Sequence, residues 1–212
     1  MKKAYITSLI LVVVMTIFVS CGTDKYLKRG EKFLAIGEYF EAAEEFKTAY
    51  NKTPSKDKEK RGACAVKLAD CYKRINYTQK AIAAYRNAIR YKCDNAELHL
   101  DFAQMLLKNG NYKEAVKEYQ LVLDSLPDNQ LAKNGLISAQ TAQEKKAEGS
   151  RYIVKKMDIF NSRRADYSPM LLGDEYDQLY FTSTRNDAEG DELSGITGTK
   201  PGDIFFSAKD DK

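Results

Sequence analysis

Side chains able to do covalent or metal chemistry are scarce in this sequence. Its 212 residues include one His, four Cys and no Trp. Nucleophilic catalysis needs a nucleophile, a base within hydrogen-bond reach and a group that orients the base. His99 has no such company in the sequence and sits on the apolar face of a helical pattern, so it reads as a packed helix residue. Asn186, Asp187, Glu189, Asp191 and Glu192 could offer oxygen ligands to Ca²⁺, but they lack the spacing of a Ca²⁺-binding loop. They read as a solvated hairpin tip. An enzyme here would have to work through carboxylates or Tyr. No catalytic residue, metal site or cofactor is expected, and the reading is that of a non-enzymatic binding protein.

The elements that would present a binding surface follow from composition and pattern. Hydrophobic residues at 43% and charged residues at 30% mark a globular chain. The net charge of +4, from 34 basic and 30 acidic residues, is too small an excess for a protein that draws its affinity from phosphate neutralisation. Nucleic acid is therefore not expected as a partner. The charge is unevenly spread: residues 22–150 carry 23 Lys and Arg against 18 Asp and Glu, whereas residues 151–212 carry 9 against 12. The sign changes at Gly149 and Ser150, which suggests two units with different roles.

The first residues, MKKAYITSLILVVVMTIFVSC, place Lys2 and Lys3 ahead of an apolar run from Ile6 to Val19. This is the layout of a secretory signal, and the run is shorter than the roughly 20 residues of a membrane-spanning helix. Ser20 followed by Cys21 resembles the bacterial lipobox, with Phe18 where that pattern usually has Leu. The resemblance implies cleavage before Cys21, diacylation of its thiol and membrane attachment. Gly22 is not the Asp of inner-membrane retention, and no acidic run follows, so the expected location is the outer membrane, facing the periplasm. Residues 1–20 are then the signal peptide and residues 21–22 the lipidated anchor.

The middle of the chain repeats. Gly-Glu-Tyr-Phe-Glu-Ala (37–42), Asn-Tyr-Thr-Gln-Lys-Ala (76–81) and Gly-Asn-Tyr-Lys-Glu-Ala (110–115) are each followed four residues later by an aromatic, Phe46, Tyr85 or Tyr119. Small residues let paired helices approach closely, large aromatics at helical spacing fill the groove between them, and a closing Pro (Pro54, Pro127) stops the second helix. A single helical hairpin cannot bury its apolar stripe, so such units must stack and be capped. Residues 129–148 supply the cap, with Leu131, Leu136, Ile137 and Ala139 expected to face inward.

These residues resemble the tetratricopeptide repeat. The first copy carries Tyr26, Gly30, Phe33, Ala42, Phe46, Ala49 and Pro54 at the pattern positions, the second Leu68, Ala69, Tyr72, Ala81, Tyr85 and Ala88, and the third His99, Phe102, Ala103, Leu106, Ala115, Tyr119, Val122 and Pro127. The resemblance implies a mainly α fold, an α-solenoid of three repeats plus a capping helix over residues 23–148. It also implies a groove for a protein partner, lined by the first helix of each pair. Carried onto this sequence, the lining positions are Asp24, Leu27, Glu31 and Leu34; then Val66, Asp70, Lys73 and Arg74; then Leu100, Gln104, Leu107 and Lys108. Solvated helix faces are the alternative for these same charges. Cys64 and Cys93 stand at helix ends that antiparallel packing brings together, and a disulfide between them is expected in an oxidising compartment. Cys71 reads as a small apolar residue.

From Tyr152 onward the helical period gives way to short strands, expected at Tyr152–Lys156, Gln178–Ser183 and Asp203–Ala208. The stretch NSRRADYSPMLLGDEYDQLYFTSTR followed by GDIFFSAKDD resembles a blade of the WD40-like propellers of bacterial envelope proteins, with a Ser-Pro strand, a Tyr-Phe-Thr-Ser-x-Arg strand and an Asp-Ile-aromatic strand. Residues 152–212 have room for at most one blade, so an incomplete first blade of a β-propeller, within a longer protein, is expected. Lipobox, repeats and blade together resemble the N-terminal part of the OmpA-family lipoproteins of Bacteroidetes. One group of these, the PorE-type proteins, belongs to the type IX secretion machinery. The resemblance implies an interaction scaffold for envelope assembly or secretion. The alternative is a structural lipoprotein in which the repeats are a spacer for a C-terminal peptidoglycan-binding domain outside this sequence.

Overall fold

A computed structural model describes residues 23–93 and 95–209, which form two compact units divided between Gly149 and Ser150. Among the described residues the first unit holds seven helices: α1 over residues 23–35, α2 (Tyr39–Lys52), α3 (Lys58–Arg74), α4 (Thr78–Arg90), α5 (Ala96–Lys108), α6 (Tyr112–Ser125) and α7 (Gln130–Glu148). Two kinds of junction alternate between them. Into α3, α5 and α7 the chain enters through an Asx cap: the side chains of Asp57, Asn95 and Asn129 accept from the N–H groups of Lys60, Leu98 and Ala132. Into α2, α4 and α6 it enters through a tight turn built on Gly37, Asn76 or Gly110, all at positive φ. At each turn two N–H groups bond back to the end of the preceding helix, as in Tyr77 N–H to the Tyr72 carbonyl and Asn76 N–H to the Lys73 carbonyl. The tight turn and the capped loop thus recur with the sequence repeat.

The core lies between the paired helices. Ala42, Phe46 and Ala49 of α2, Ala81, Tyr85 and Ala88 of α4, and Ala115, Tyr119 and Val122 of α6 are all buried. All of these except Ala49 meet Ala65, Leu68, Ala69 and Tyr72 of α3 and Phe102, Ala103 and Leu106 of α5 in one continuous cluster. Close approach depends on the small residues: a Cβ added at Gly135 of α7 would overlap the Tyr119 ring.

The cap differs from expectation. Ala132 and Ala139 are fully buried and Leu136 packs on the core, but Leu131 and Ile137 are about 60% exposed, at 61% and 59%. The buried stripe follows positions 132, 136 and 139. Ile137 lies off that stripe, as a residue one step beyond Leu136 must on a helix turning 100° per residue.

The second unit is a three-stranded antiparallel sheet in the order β1 (Asp166–Leu172), β2 (Gln178–Ser183), β3 (Asp203–Ala208). The strands expected at Gln178–Ser183 and Asp203–Ala208 are present. Tyr152–Lys156 is not a strand: Tyr152, Ile153 and Val154 stand in solvent, with no ladder partner among the described residues. Its β-branched content satisfied propensity, but a strand needs a neighbour. The third strand is instead the Ser-Pro segment, where Pro169 and a register shift between Tyr167 and Met170 interrupt the ladder of β1.

Candidate functional site

The candidate groove is the face formed by α1, α3 and α5, and its apolar members all lean on the core. Leu27 and Leu34 from α1, Val66 from α3 and Leu100 and Leu107 from α5 are half-buried against the central cluster. Each is only partly covered there, and the five lie on three successive first helices.

The charged candidates are drawn into bridges between neighbouring first helices. Asp24 and Glu31 on α1 meet Lys60 and Lys67 on α3, at 2.5 and 3.2 Å. Asp70 accepts from Arg74 at 3.0 Å and lies 3.4 Å from Lys73. Lys73 reaches on to Asp101 of α5 at 2.5 Å. Hydrogen bonding to Asp70 raises the Arg74 guanidinium above its already high ordinary value, against a small opposing effect of burial. Lys108 donates to the Asn76 side chain at 2.5 Å, and Gln104 is half-buried. Acid and base thus compensate one another along the face, which leaves the Leu and Val positions as its most distinctive feature. Partly exposed pairs of this kind contribute about 0–1 kcal/mol each.

Lys60, Lys67 and Asp101 escaped the sequence reading because they fall outside the groove positions carried from the repeat pattern. A signal was present: both α1–α3 pairs join opposite charges 36 residues apart.

The cysteines do not pair as expected. Cys64, Cys71 and Cys93 are free thiols. The helix ends do meet, but Cys93 lies against Gly62, where an added Cβ would stand 2.5 Å from its Sγ, whereas Cys64 is buried against Thr53. Gly62 and Cys64 are two residues, about 200° of helix, apart, so the two thiols face different neighbours. Burial pushes all three thiols up, Cys71 to about 12. Cys21 lies outside the described residues. His99 is buried between α5 and α6 with Nδ1 at 2.5 Å from Glu118 Oε2, a packed position facing one carboxylate.

Residues 78–143 match the model of the tetratricopeptide repeat. That stretch runs from α4 into α7 and is similar to tetratricopeptide repeats (TPRs). The chain is 28% identical over 150 residues to DnaJ homolog subfamily C member 3 of Rattus norvegicus, an alignment that covers 71% of this chain and 28% of that protein. It therefore spans little more than a quarter of that relative's length. Among solved structures it is similar to the C-terminal TPR-containing domain of an FK506-binding protein of Plasmodium falciparum, with 17% identity, 60% of this chain and 91% of that one covered, and a TM-score of 0.52. It is also similar to the TPR domain of P58(IPK), with 18% identity, 64% and 38% covered, and a TM-score of 0.51. At these identities the structural likeness speaks for the fold. TPRs generally act as non-catalytic scaffolds for protein partners.

In the second unit, Arg185 is the organising side chain. Its guanidinium lies 4.8 Å from the Phe181 ring centroid and 4.7 Å from that of Phe205. It also donates to the Phe160 carbonyl at 2.6 Å and to Asp166 at 2.9 Å. Burial would raise the Asp166 carboxyl, but hydrogen bonds from the Ser183 hydroxyl, the Ser162 N–H and Arg185 outweigh it and hold the group far below the usual carboxylate range. Arg185, Phe181, Phe205, Phe160 and Asp166 border an open hollow of about 1060 Å³ that is also lined by Leu171 and Leu179. The acidic tip noted in the sequence is tied down from one side: Lys200 donates to the carbonyls of Asn186 and Ala188, and Asp203 accepts from the Glu189 N–H.

Proposed function

We propose that this protein is an outer-membrane-anchored periplasmic lipoprotein whose TPR groove holds a protein partner in envelope assembly or type IX secretion. One observation carries the binding part of this reading: Leu27, Leu34, Val66, Leu100 and Leu107 lie on three successive first helices and are only partly buried against the core. The charges beside them are bridged to one another. Such positions suit the apolar side of a partner's helix or extended segment. The anchoring part rests on the N-terminal sequence, in which a short apolar run ends at Ser20 and Cys21. The three-stranded sheet is read as the opening of a propeller blade. The scaffold is taken to be non-catalytic, with protein partners at the groove and the membrane at the lipid.

The test combines both parts. The full chain is expressed in its host, the envelope is extracted, and proteins that co-purify are compared with those retained by a variant carrying Leu34→Asp, Leu100→Asp and Leu107→Asp. The variant must first match the helical content of the parent by circular dichroism. Loss of a specific partner is expected. Retention of every partner would favour the spacer reading, in which the groove is idle. Membrane attachment is read separately, by the loss of acyl label in Cys21→Ser.

A further inference from the structure

α1 carries charges of both signs, and the fold disposes of them differently. Its acids, Asp24 and Glu31, are bridged to Lys60 and Lys67 of α3, and its Arg29 is bridged to Glu45 of α2 at 2.8 Å. Lys25, Lys28 and Lys32 are exposed and enter no ion pair or hydrogen bond among the described residues. They follow one another at spacings of three and four residues, so they share one stripe of the helix. Leu27 and Leu34 lie two positions beyond Lys25 and Lys32, about 200° round the helix. The stripe therefore looks away from the core and from the apolar positions of the groove.

The stripe also starts beside the residue read as the lipid anchor. α1 begins two residues after Cys21, a reach of about 7 Å at most along the chain. An acyl chain on Cys21 would hold the start of α1 within about one Debye length, ~8–10 Å, of the headgroups. Lys32 lies about 10 Å farther along the axis than Lys25. All three lysines therefore reach the surface only when the helix lies along it. A lipid fixes one point and leaves the body free to swing, whereas a basic stripe adds the second contact that sets an orientation.

We propose that Lys25, Lys28 and Lys32 are a seat for anionic phospholipid headgroups, laying α1 along the membrane surface with Leu27 and Leu34 turned away from it. The nearness of the membrane rests on the anchoring proposed for Cys21, whereas the charge complementarity does not. Because every other charge of α1 is already neutralised by a neighbouring helix, the seat costs no bridge within the fold. Seated in this way, the groove faces a soluble partner rather than the bilayer.

Two measurements separate the seat from the anchor. In the first, the mature chain, residues 21–212, is prepared without lipid as Cys21→Ser and floated with vesicles of phosphatidylcholine, alone or mixed with phosphatidylglycerol. Partition onto the mixed vesicles only is expected at low salt. Each Lys near an anionic surface contributes about fivefold, so Lys25→Gln, Lys28→Gln and Lys32→Gln together are expected to lower it roughly 100-fold. A control with Lys113→Gln, Lys117→Gln and Lys145→Gln is expected to leave it nearly unchanged. In the second, the acylated protein from its host is reconstituted in the same two kinds of vesicle and its amines are labelled and mapped by peptide mass. Lys25, Lys28 and Lys32 are expected to label several-fold more slowly on the mixed vesicles, Lys113 and Lys117 equally on both, and high salt is expected to abolish the difference. Partition that does not favour phosphatidylglycerol, or that the control lowers as much as the stripe variant, would overturn the seat. So would equal labelling of the three lysines on both vesicles in protein that carries acyl label. Absence of acyl label from Cys21 with selective partition intact would overturn the anchor and support the seat.

Discussion

Lys67 on α3 stands 3.2 Å from Glu31 on α1, so the two charges are spent on one another across neighbouring first helices. Both side chains are substantially exposed, 38% and 53%, so water and salt screen the pair. Glu31→Gln is expected to lower stability by less than about 1 kcal/mol, read from the urea midpoint. The same variant is expected to change partner affinity little, because the proposed contact is made by the apolar positions.

The cap helix gives a sharper contrast. Leu131→Ser and Ile137→Ser on α7 are expected to shift stability by no more than about 0.5 kcal/mol, since both side chains already stand in solvent. Ala139→Leu, two residues beyond Ile137 on the buried stripe, is expected to cost about 1–3 kcal/mol through overpacking. Gly135→Ala is expected to cost a similar amount, because its Cβ would meet the Tyr119 ring. Equal effects at positions 137 and 139 would contradict the orientation of α7.

Acid should act on the second unit through Asp166. Its carboxyl is depressed in the fold, so the stabilisation is fully present above the unfolded value of about 3.9 and is lost as pH falls below it toward the folded value. Hydrogen exchange of peptides from 160–209 is expected to show faster opening in Asp166→Asn than in the parent at pH 7. The gap between the two should narrow below about pH 4, as the parent's carboxyl approaches protonation.

The thiols provide an independent check on the packing of α3. Cys64 and Cys71 are buried and Cys93 is partly exposed. Alkylation of the native protein, mapped by peptide mass, is expected to modify Cys93 first and to reach Cys64 and Cys71 only on unfolding. A Cys64–Cys93 disulfide recovered from the oxidised native protein would contradict the separation of the two side chains.

Sequence legibility followed the periodicity of burial. Phe46, Tyr85 and Tyr119 announced themselves because each repeats a large ring four residues after a small one, and all three are buried. The cap was harder, since α7 has no second helix of its own pair and a Leu–Ile count could not show which stripe would be covered. Ala132 and Ala139 carry that stripe with so little side chain that the pattern was hidden. In the second unit, Ile and Val at 153–154 looked like a strand by composition alone, whereas β1 is a strand because residues 178–183 fold back on it in a hairpin. The repeat frame picked out Leu27, Leu34, Val66, Leu100 and Leu107, which are half-buried against the core. It did not pick out Lys60, Lys67 and Asp101, because each belongs to a relation between repeats.

The central claim is that the apolar positions of the groove bind a protein. Its most direct test is co-purification from envelope extracts with the parent chain and with the variant carrying Leu34→Asp, Leu100→Asp and Leu107→Asp, both verified as folded. The account predicts that a partner held by the parent, with binding little changed between low and moderate salt, is lost from the variant. A partner retained in full by the folded variant would contradict it.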